Sequence, residues 1–319
     1  MVEVLNKIFN EDCLVGSEKI PSGSIDLILT DLPYGTVKDA PKNWTVKNEK
    51  SHGWDMSIDP KEVYKIANRI LRKNGKMVLF SQEPYTTRLI TEAIPNIPFS
   101  YRMVWEKDSF ANALLVNKAP VGMYEDILVF SKTHDTDGLH PLRDYFKDVL
   151  TFVNVSLKSI NATLGHRRAE HSFYVDSTQF SLCTEQTYNE LVNTYNLEQM
   201  EGYKKYDELK KVDEQVKGEL YKSVFNLWEG NKYKSNILKY KKDYTGMHPT
   251  QKPILLLEDL IKTYSNESDT VVDLTIGSGS TAIACMNTRR NFVGFELDER
   301  YYNIASERIA NHTTQSELV

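Results

Sequence analysis

Apolar, strand-like runs alternate with helical patterns at both ends of this 319-residue chain, and the long stretch between them does not alternate. Together these predict an α/β fold, a doubly wound, mostly parallel sheet with an inserted module. A third observation agrees: the runs IDLILT (25–30), TVVDL (270–274) and NFVGF (291–295) lead into or contain acids at their carboxyl ends. Strands buried on both faces are continuously apolar, and open α/β sheets bind ligands beyond their carboxyl ends.

In chain order, residues 7–12 read as a short strand and 25–30 as the second. The polar stretch from Gly35 to Asp59 has too few apolar residues to hold itself down and is expected to be a lid or disordered, with Trp54 the exception. Asp59 and Pro60 look like an N-cap and first helical residue. They open a helix with Val63, Ile66, Ala67 and Ile70 on one face, closing at Asn74-Gly75. KMVLFS (76–81) follows as a strand, Pro84 opens another helix, and SYRMVWEK (100–107) and EDILVFSK (125–132) are further strands. From about Thr133 to Tyr244 charged, Asn- and Tyr-rich segments take over, with helical spacing at Tyr188, Leu191, Val192 and Tyr195. Past Pro253, residues 255–264 form a helix. Strand 270–274 then runs into Gly277-Ser278-Gly279-Ser280-Thr281, another helix follows, and strand 291–296 ends at Glu296. The expected domains are 1–132, 133–245 and 246–319.

Two of these places carry chemistry. Asp31-Leu32-Pro33-Tyr34 puts a carboxylate, a kinked backbone with free carbonyls and an aromatic ring at a strand's carboxyl end. That set suits stacking a flat polar ring and accepting hydrogens from its amino group, and equally fits an ordinary turn. In the second, a Gly-rich turn lets a ligand approach the backbone, and Glu296, 19 positions beyond Gly277, can grip ribose hydroxyls. A third glycine is missing, so an adenosine without phosphates is favoured over a dinucleotide.

A net charge of −5 and pI near 5.9 exclude wholesale electrostatic coating of nucleic acid. The segment 140–250 carries 16 basic against 15 acidic residues, and its basic maximum is NKYKSNILKYKK. There Lys232, Lys234, Lys239, Lys241 and Lys242 interleave with Tyr233 and Tyr240, fitting phosphate contact with base stacking, or a solvated loop. Cys13, Cys183 and Cys285 lie far apart without a CxxC pair, so neither a disulfide framework nor a metal site is expected. No basic segment followed by an apolar one opens the chain, and no apolar run approaches 18 residues, so no membrane association and a cytoplasmic location are expected.

The motifs together resemble the permuted (beta-class) N6-adenine/N4-cytosine DNA methyltransferase family, which places its catalytic motif before its cofactor motif with the target-recognition segment between. DLPYG matches that family's D-P-P-Y, MHPTQKP (247–253) its H-P-T-x-K-P, DLTIGSGST (273–281) its D-x-F-x-G-S-G-T-T, and FVGFELDERYY (292–302) its G-x-E-x-x-x-x-Y. NEDC (10–13) resembles its G-D-C segment, and WEK with YEDILVFSK the strands before the recognition region. Leu32 and Thr275 depart from the family's proline and phenylalanine. Leu32 keeps the backbone carbonyl but frees φ and adds an N–H, and Thr275 removes an aromatic wall beside the cofactor.

The resemblance implies a Rossmann-like methyltransferase sheet, S-adenosylmethionine as cofactor, double-stranded DNA as partner, and no metal; a homodimer is compatible with it. It implies that Asp31 and the Leu32 carbonyl accept the amino hydrogens of a flipped-out base, with Pro33 shaping the turn and Tyr34 stacked on the ring. Glu296 would hold the ribose, Asp12 beside Cys13 the adenine amino group, and Gly277, Ser278 and Gly279 with Thr250 and Lys252 the methionine end, with Asp273 and Thr281 completing the motif. Aspartate at the head of the tetrapeptide favours adenine N6. Cytosine N4 is the alternative, and a catalytically weak DNA-binding or cofactor-sensing module is the reading from another class. Cytosine C5 chemistry needs a nucleophilic cysteine, and none here sits in a Pro-Cys setting.

Overall fold

The computed structural model describes residues 4–34, 57–111, 116–118, 120–134, 140–177, 179–219, 223–227, 232–243 and 251–316. Most of the expected lid, residues 35–56, and Thr250 lie outside them. The chain divides into two compact units, Met1–Thr133 with Ser223–Val319, and His134–Lys222. The second unit covers most of the expected insertion 133–245, and within the remainder residues 237–239 pair with the sheet of the first unit.

In the first unit the elements run β1 (Lys7–Phe9), α1 (Cys13–Gly16), β2 (Ile25–Asp31), α2 (Pro60–Ile70), β3 (Leu71–Ser81), α3 (Tyr85–Thr91), β4 (Phe99–Ala111) and β5 (Gly122–Ser131). The inserted unit holds α4 (Leu142–Val153), α5 (Leu157–Leu164), α6 (Glu185–Tyr195) and α7 (Tyr206–Glu219) around its own core, which includes Phe146, Ile160, Tyr188 and Leu191. Back in the first unit come β6 (Ile237–Lys239), α8 (Ile254–Tyr264), β7 (Thr270–Asp273), α9 (Ser280–Asn287), β8 (Asn291–Phe295) and α10 (Glu299–Ser316).

Eight strands form one sheet in the order β1-β8-β7-β2-β3-β5-β4-β6. All neighbours are parallel except β3 with β5 and β5 with β4, so the sheet is mostly parallel, Rossmann-like and doubly wound. Alternate residues of each strand face opposite layers. Ile28, Met77 and Leu79 pack with Val63, Tyr64 and Ala67 of α2 and Leu89 of α3, while Leu27, Leu29 and Val78 pack with Leu256 and Leu260 of α8 and Ala284 of α9.

Local chemistry explains the boundaries. The Asp59 side chain accepts from Lys61 N at 3.0 Å, and Pro60 needs no amide partner at the first helical position. The helix stops at Ile70, four residues before the expected Asn74-Gly75, because Leu71 is extended and already pairs with Ile25. Asn74 instead turns the chain with φ 63° inside β3. Asp26, at the start of β2, takes Arg72 Nε at 2.6 Å and Thr270 N at 2.8 Å, so it ties β2 to both neighbouring strands.

The stretch 232–242, expected as a surface loop or phosphate-binding segment, contains β6, which pairs in parallel with β4 through Ile237 opposite Val104. Leu238 is 5 % exposed between two exposed neighbours, the alternation of an edge strand.

Gly294 shows how tightly β8 is packed against the loop after β7. A Cβ there would collide with the Ile276 side chain and stand 3.1 Å from Ile8 Cγ2. Gly294→Ala is expected to destabilise the protein by about 1–3 kcal/mol, the usual result of overpacking a filled core. Urea denaturation of parent and variant checks this, and equal midpoints would mean that Ile276 has room to yield.

Candidate active site

The sheet order changes direction between β7 and β2, and such a switch point opens a crevice at the strands' carboxyl ends. Pairing of Leu27 with Val271 and Ile28 with Val272 sets the end of β2, with Asp31, beside the end of β7, with Asp273. Asp273 is 4 % exposed and takes Thr30 Oγ1 at 2.7 Å, Thr281 Oγ1 at 2.6 Å and Thr275 N at 3.1 Å. Burial pushes its carboxyl up to about 6 against the pull of these donors. Thr275 Oγ1 in turn donates to the Asp31 carbonyl at 3.0 Å. The residue that looked from the sequence like a missing aromatic wall is a hydroxyl tying the two strand ends together.

Around the Asp31 carboxylate the structure assembles a buried row of charges. Tyr34 donates its hydroxyl to Oδ1 at 2.6 Å, and the Lys252 ammonium bonds Oδ2. Lys252 also lies 3.2 Å from Glu125 Oε2, and Lys107 donates to Glu125 Oε1 at 3.0 Å. Burial raises the Asp31 carboxyl above its ordinary value while Lys252 pulls it down. Burial also lifts the Tyr34 phenol well above its usual value, with the Asp31 charge adding to it, so the hydroxyl stays a donor. Glu125, against its own burial, is held below the usual carboxylate range by Lys252 and Lys107. Leu32, 1 % exposed, is anchored in the core, and the Tyr34 ring lies 6.1 Å from that of Tyr85.

At the neighbouring strand ends a second set of groups gathers. Gly277 and Gly279 have φ of 55° and 84°, a region that favours glycine, and Gly279 leads directly into α9. Glu296 accepts from Gly277 N at 2.9 Å and Asp298 N at 2.8 Å, so the acid is braced by the glycine turn it was expected to work with. Its carboxyl is raised by burial, with those amides pulling the other way. β1 lies beside β8, and Glu296 N donates to Phe9 O at 3.0 Å, which brings the Asp12 segment to the same edge. Leu14, Val15 and Leu297 are 37 %, 68 % and 67 % exposed on the segments that follow these two strands. Apolar side chains beside an acid expected to grip a ribose fit an adenosine, and the sequence reading missed all three because an exposed apolar residue has no spacing signal.

Several expected residues have partners within the fold. Asp12 caps α1, its Oδ1 accepting from Leu14 N at 2.9 Å, and Cys13 is a buried thiol that burial pushes up to about 12. Thr281 is turned inward to Asp273, and Ser278 Oγ donates to Gln251 Oε1 at 3.3 Å. Lys252 faces Asp31, where the resemblance had put it at the methionine end. Among the lysines, Lys232, Lys239 and Lys241 are exposed, with Lys239 paired to Glu106 Oε2 at 3.0 Å. Lys234 turns inward to Asp259, and Lys242 is half-buried with its ammonium pKa lowered by burial and by Lys107.

Comparison with known proteins gives this geometry a family. Residues 25–307 match the N6/N4 DNA methylase family. The chain is 26% identical over 314 residues to the DNA adenine methyltransferase YhdJ of Escherichia coli (strain K12), covering 98% of this chain and 85% of that protein. Its fold is similar to that of the M1.HpyAVI-SAM complex (TM-score 0.50, 18% identity, 95% and 98% of the two chains). It is also similar to the PvuII cytosine-N4-specific DNA methyltransferase (TM-score 0.51, 15% identity, 97% and 91% of the chains). The chain belongs to the N6/N4 DNA methylase family and is a DNA methyltransferase with S-adenosylmethionine as its cofactor.

Proposed function

We propose that this protein methylates the exocyclic N6 of adenine in double-stranded DNA, acting on a base turned out of the duplex. The observation that carries the proposal is the Asp31 carboxylate, held at the end of β2 against the cofactor turn after β7. Bound S-adenosylmethionine supplies an electrophilic sulfonium methyl. An exocyclic amino nitrogen attacks poorly, because its lone pair is delocalised into the ring. Acceptors that hold its hydrogens push it toward tetrahedral geometry and oppose the positive charge it gains. Asp31 and the Leu32 carbonyl are those acceptors, and such an interaction speeds the reaction because it strengthens in the transition state. Tyr34 orients the carboxylate through its hydroxyl.

Glu296, the Gly277–Gly279 turn, Asp12 and the exposed Leu14 and Leu297 form the cofactor side. Readout of the DNA sequence is assigned to the helical unit His134–Lys222. Adenine is favoured by an aspartate at the head of the tetrapeptide and by the adenine activity named for the E. coli relative. Cytosine N4 presents the same amino chemistry and is named for the PvuII enzyme, with which this chain shares a fold at 15% identity.

Whole-genome-amplified DNA, which contains every short sequence and no methylated adenine or cytosine, is the substrate for the test. Mass analysis of its nucleosides after reaction is expected to show N6-methyladenine, and N4-methylcytosine would replace the adenine reading. Absence of labelled methyl in the DNA would leave a binding or sensing module.

Asp31→Ala is expected to leave cofactor affinity intact and to slow single-turnover transfer by orders of magnitude, on the order of the 10²–10³ lost with a single charge-stabilising group. Glu296→Ala is expected to weaken the cofactor, with transfer recovering as cofactor is raised. Calorimetry and labelled-methyl transfer on both variants separate the two roles, and parental transfer by Asp31→Ala would reduce the tetrapeptide to a turn.

For DNA binding, replacing two of Lys232, Lys239 and Lys241 by glutamine is expected to weaken affinity for all sequences alike. The slope of log affinity against log salt should fall by roughly one for each phosphate no longer neutralised. An unchanged slope in the salt titration would make the segment a solvated edge of the sheet.

A further inference from the structure

We propose that Lys252 and Glu125 are positioning residues for methyl transfer: Lys252 holds the Asp31 carboxylate charged and oriented, and Glu125, backed by Lys107, sets how much of the Lys252 charge Asp31 receives. The inference rests on reading Asp31 as the amino-group acceptor.

The four side chains come from four separated stretches and alternate in sign: Asp31 at the end of β2, Lys252 before α8, Glu125 on β5 and Lys107 on β4. Lys252, Glu125 and Lys107 are 7 %, 11 % and 1 % exposed at the side chain, so water screens them little. Trp105 pairs with Glu125 across the β4–β5 hairpin, and Lys107, two residues on, lies on the same face as Trp105. Lys252 Nζ stands 5.0 Å from the centre of the Phe80 ring, whose face attracts the ammonium and helps hold it in place.

This arrangement answers a difficulty in the chemistry. An aspartate in a buried pocket tends to take up a proton, and a protonated carboxyl presents a hydrogen where the amino group needs an acceptor. An ammonium at one carboxylate oxygen opposes that protonation and leaves lone pairs for the base. With only Asp31 as partner, Lys252 would neutralise it most strongly. Glu125 draws part of that charge away, so the carboxylate keeps acceptor strength, and Lys107 balances Glu125 in turn.

Among the described residues, the charged and titratable groups facing Asp31 are Tyr34 after β2, Lys252 before α8, Glu125 on β5 and Asp273 on β7, with Lys107 and Lys242 behind Glu125 and Lys252. Removing Lys252 takes away the attraction that lowers the Asp31 carboxyl, and removing the Glu125 charge takes away a repulsion that raises it. The two changes must therefore move the acid limb of the rate in opposite directions.

The test measures single-turnover methyl transfer to whole-genome-amplified DNA across pH, with cofactor affinity by calorimetry, for the parent, Lys252→Met, Lys252→Arg, Glu125→Gln and Asp31→Ala. Lys252→Met is expected to move the acid limb up by roughly one to three pH units, the effect of one close opposite charge, with cofactor affinity retained. Glu125→Gln moves the limb down, and Lys252→Arg keeps it near the parent's. Should Lys252→Met fail to fold, the Glu125→Gln shift decides, and a limb at or above the parent's position overturns the proposal. So does a Lys252→Met protein that loses cofactor affinity at an unshifted limb, because Lys252 would then serve the cofactor. Parental transfer by Asp31→Ala defeats the reading of Asp31 itself, and it is distinct from a normal Asp31 dependence with unmoved limbs, which defeats only the role of Lys252 and Glu125.

Discussion

The parallel pairing of β2 with β7 is the constraint on which the site depends. It joins residues more than 240 positions apart, as the Thr30–Asp273 hydrogen bond across 243 residues shows. Closing so long a separation costs entropy, although the cost grows only logarithmically with length. It is offset by strands buried on both faces and by polar ties at both ends of the pair. Asp26 grips Thr270 at one end, and Asp273 with Thr275 grips Thr30 and the Asp31 carbonyl at the other. The Asp31–Tyr34 tetrapeptide and the Gly277–Gly279 turn are thus fixed to each other through a few hydrogen bonds and not through loop packing. In the proposed reading, that placement holds the acceptor against the methyl donor's turn without asking either loop to be rigid by itself.

The same site carries an electrostatic cost. Two carboxylates and two ammonium groups are withdrawn from water between β2, β4, β5 and the approach to α8. Buried ion pairs repay desolvation poorly and are weak grounds for expecting stability. In the proposed reading their value is functional, because a charged acceptor is needed where the nitrogen becomes positive. The departures from the family pattern fit that economy. Thr275 replaces an aromatic wall with a hydrogen bond to the Asp31 carbonyl, and Leu32 replaces a rigid proline with a side chain sunk in the core. Both restrain the backbone of the tetrapeptide by other means.

Two of the lysines expected on DNA show how local composition misleads. Lys234 lies within a run of five cations and two tyrosines, yet its ammonium meets Asp259 of α8, and Tyr240 donates to the same carboxylate at 2.9 Å. Only Ile237–Lys239 of the run form the edge strand; Lys234 lies before it, and its ammonium finds a buried acid on the neighbouring helix. Lys242 lies half-buried near Lys107 and Lys252. The three exposed lysines remain suited to phosphate.

The α/β class, its order of strands and helices, the motifs and the placement of Asp31 and Glu296 at strand ends were legible in the sequence, because each is written in neighbouring residues. Strands buried on both faces announce themselves as continuous apolar runs, and a glycine turn announces itself by residue type. The end of α2 at Ile70 and the strand β6 were not legible, since each depends on pairing with a partner strand that local pattern does not name. The role of Lys252 was hidden for the same reason. A lysine is identified by what its ammonium meets, and Asp31 and Glu125 lie 221 and 127 positions away in the chain. Only the tertiary structure, by stacking β5, β3, β2 and β7 side by side, decided that one ammonium would stand between two carboxylates.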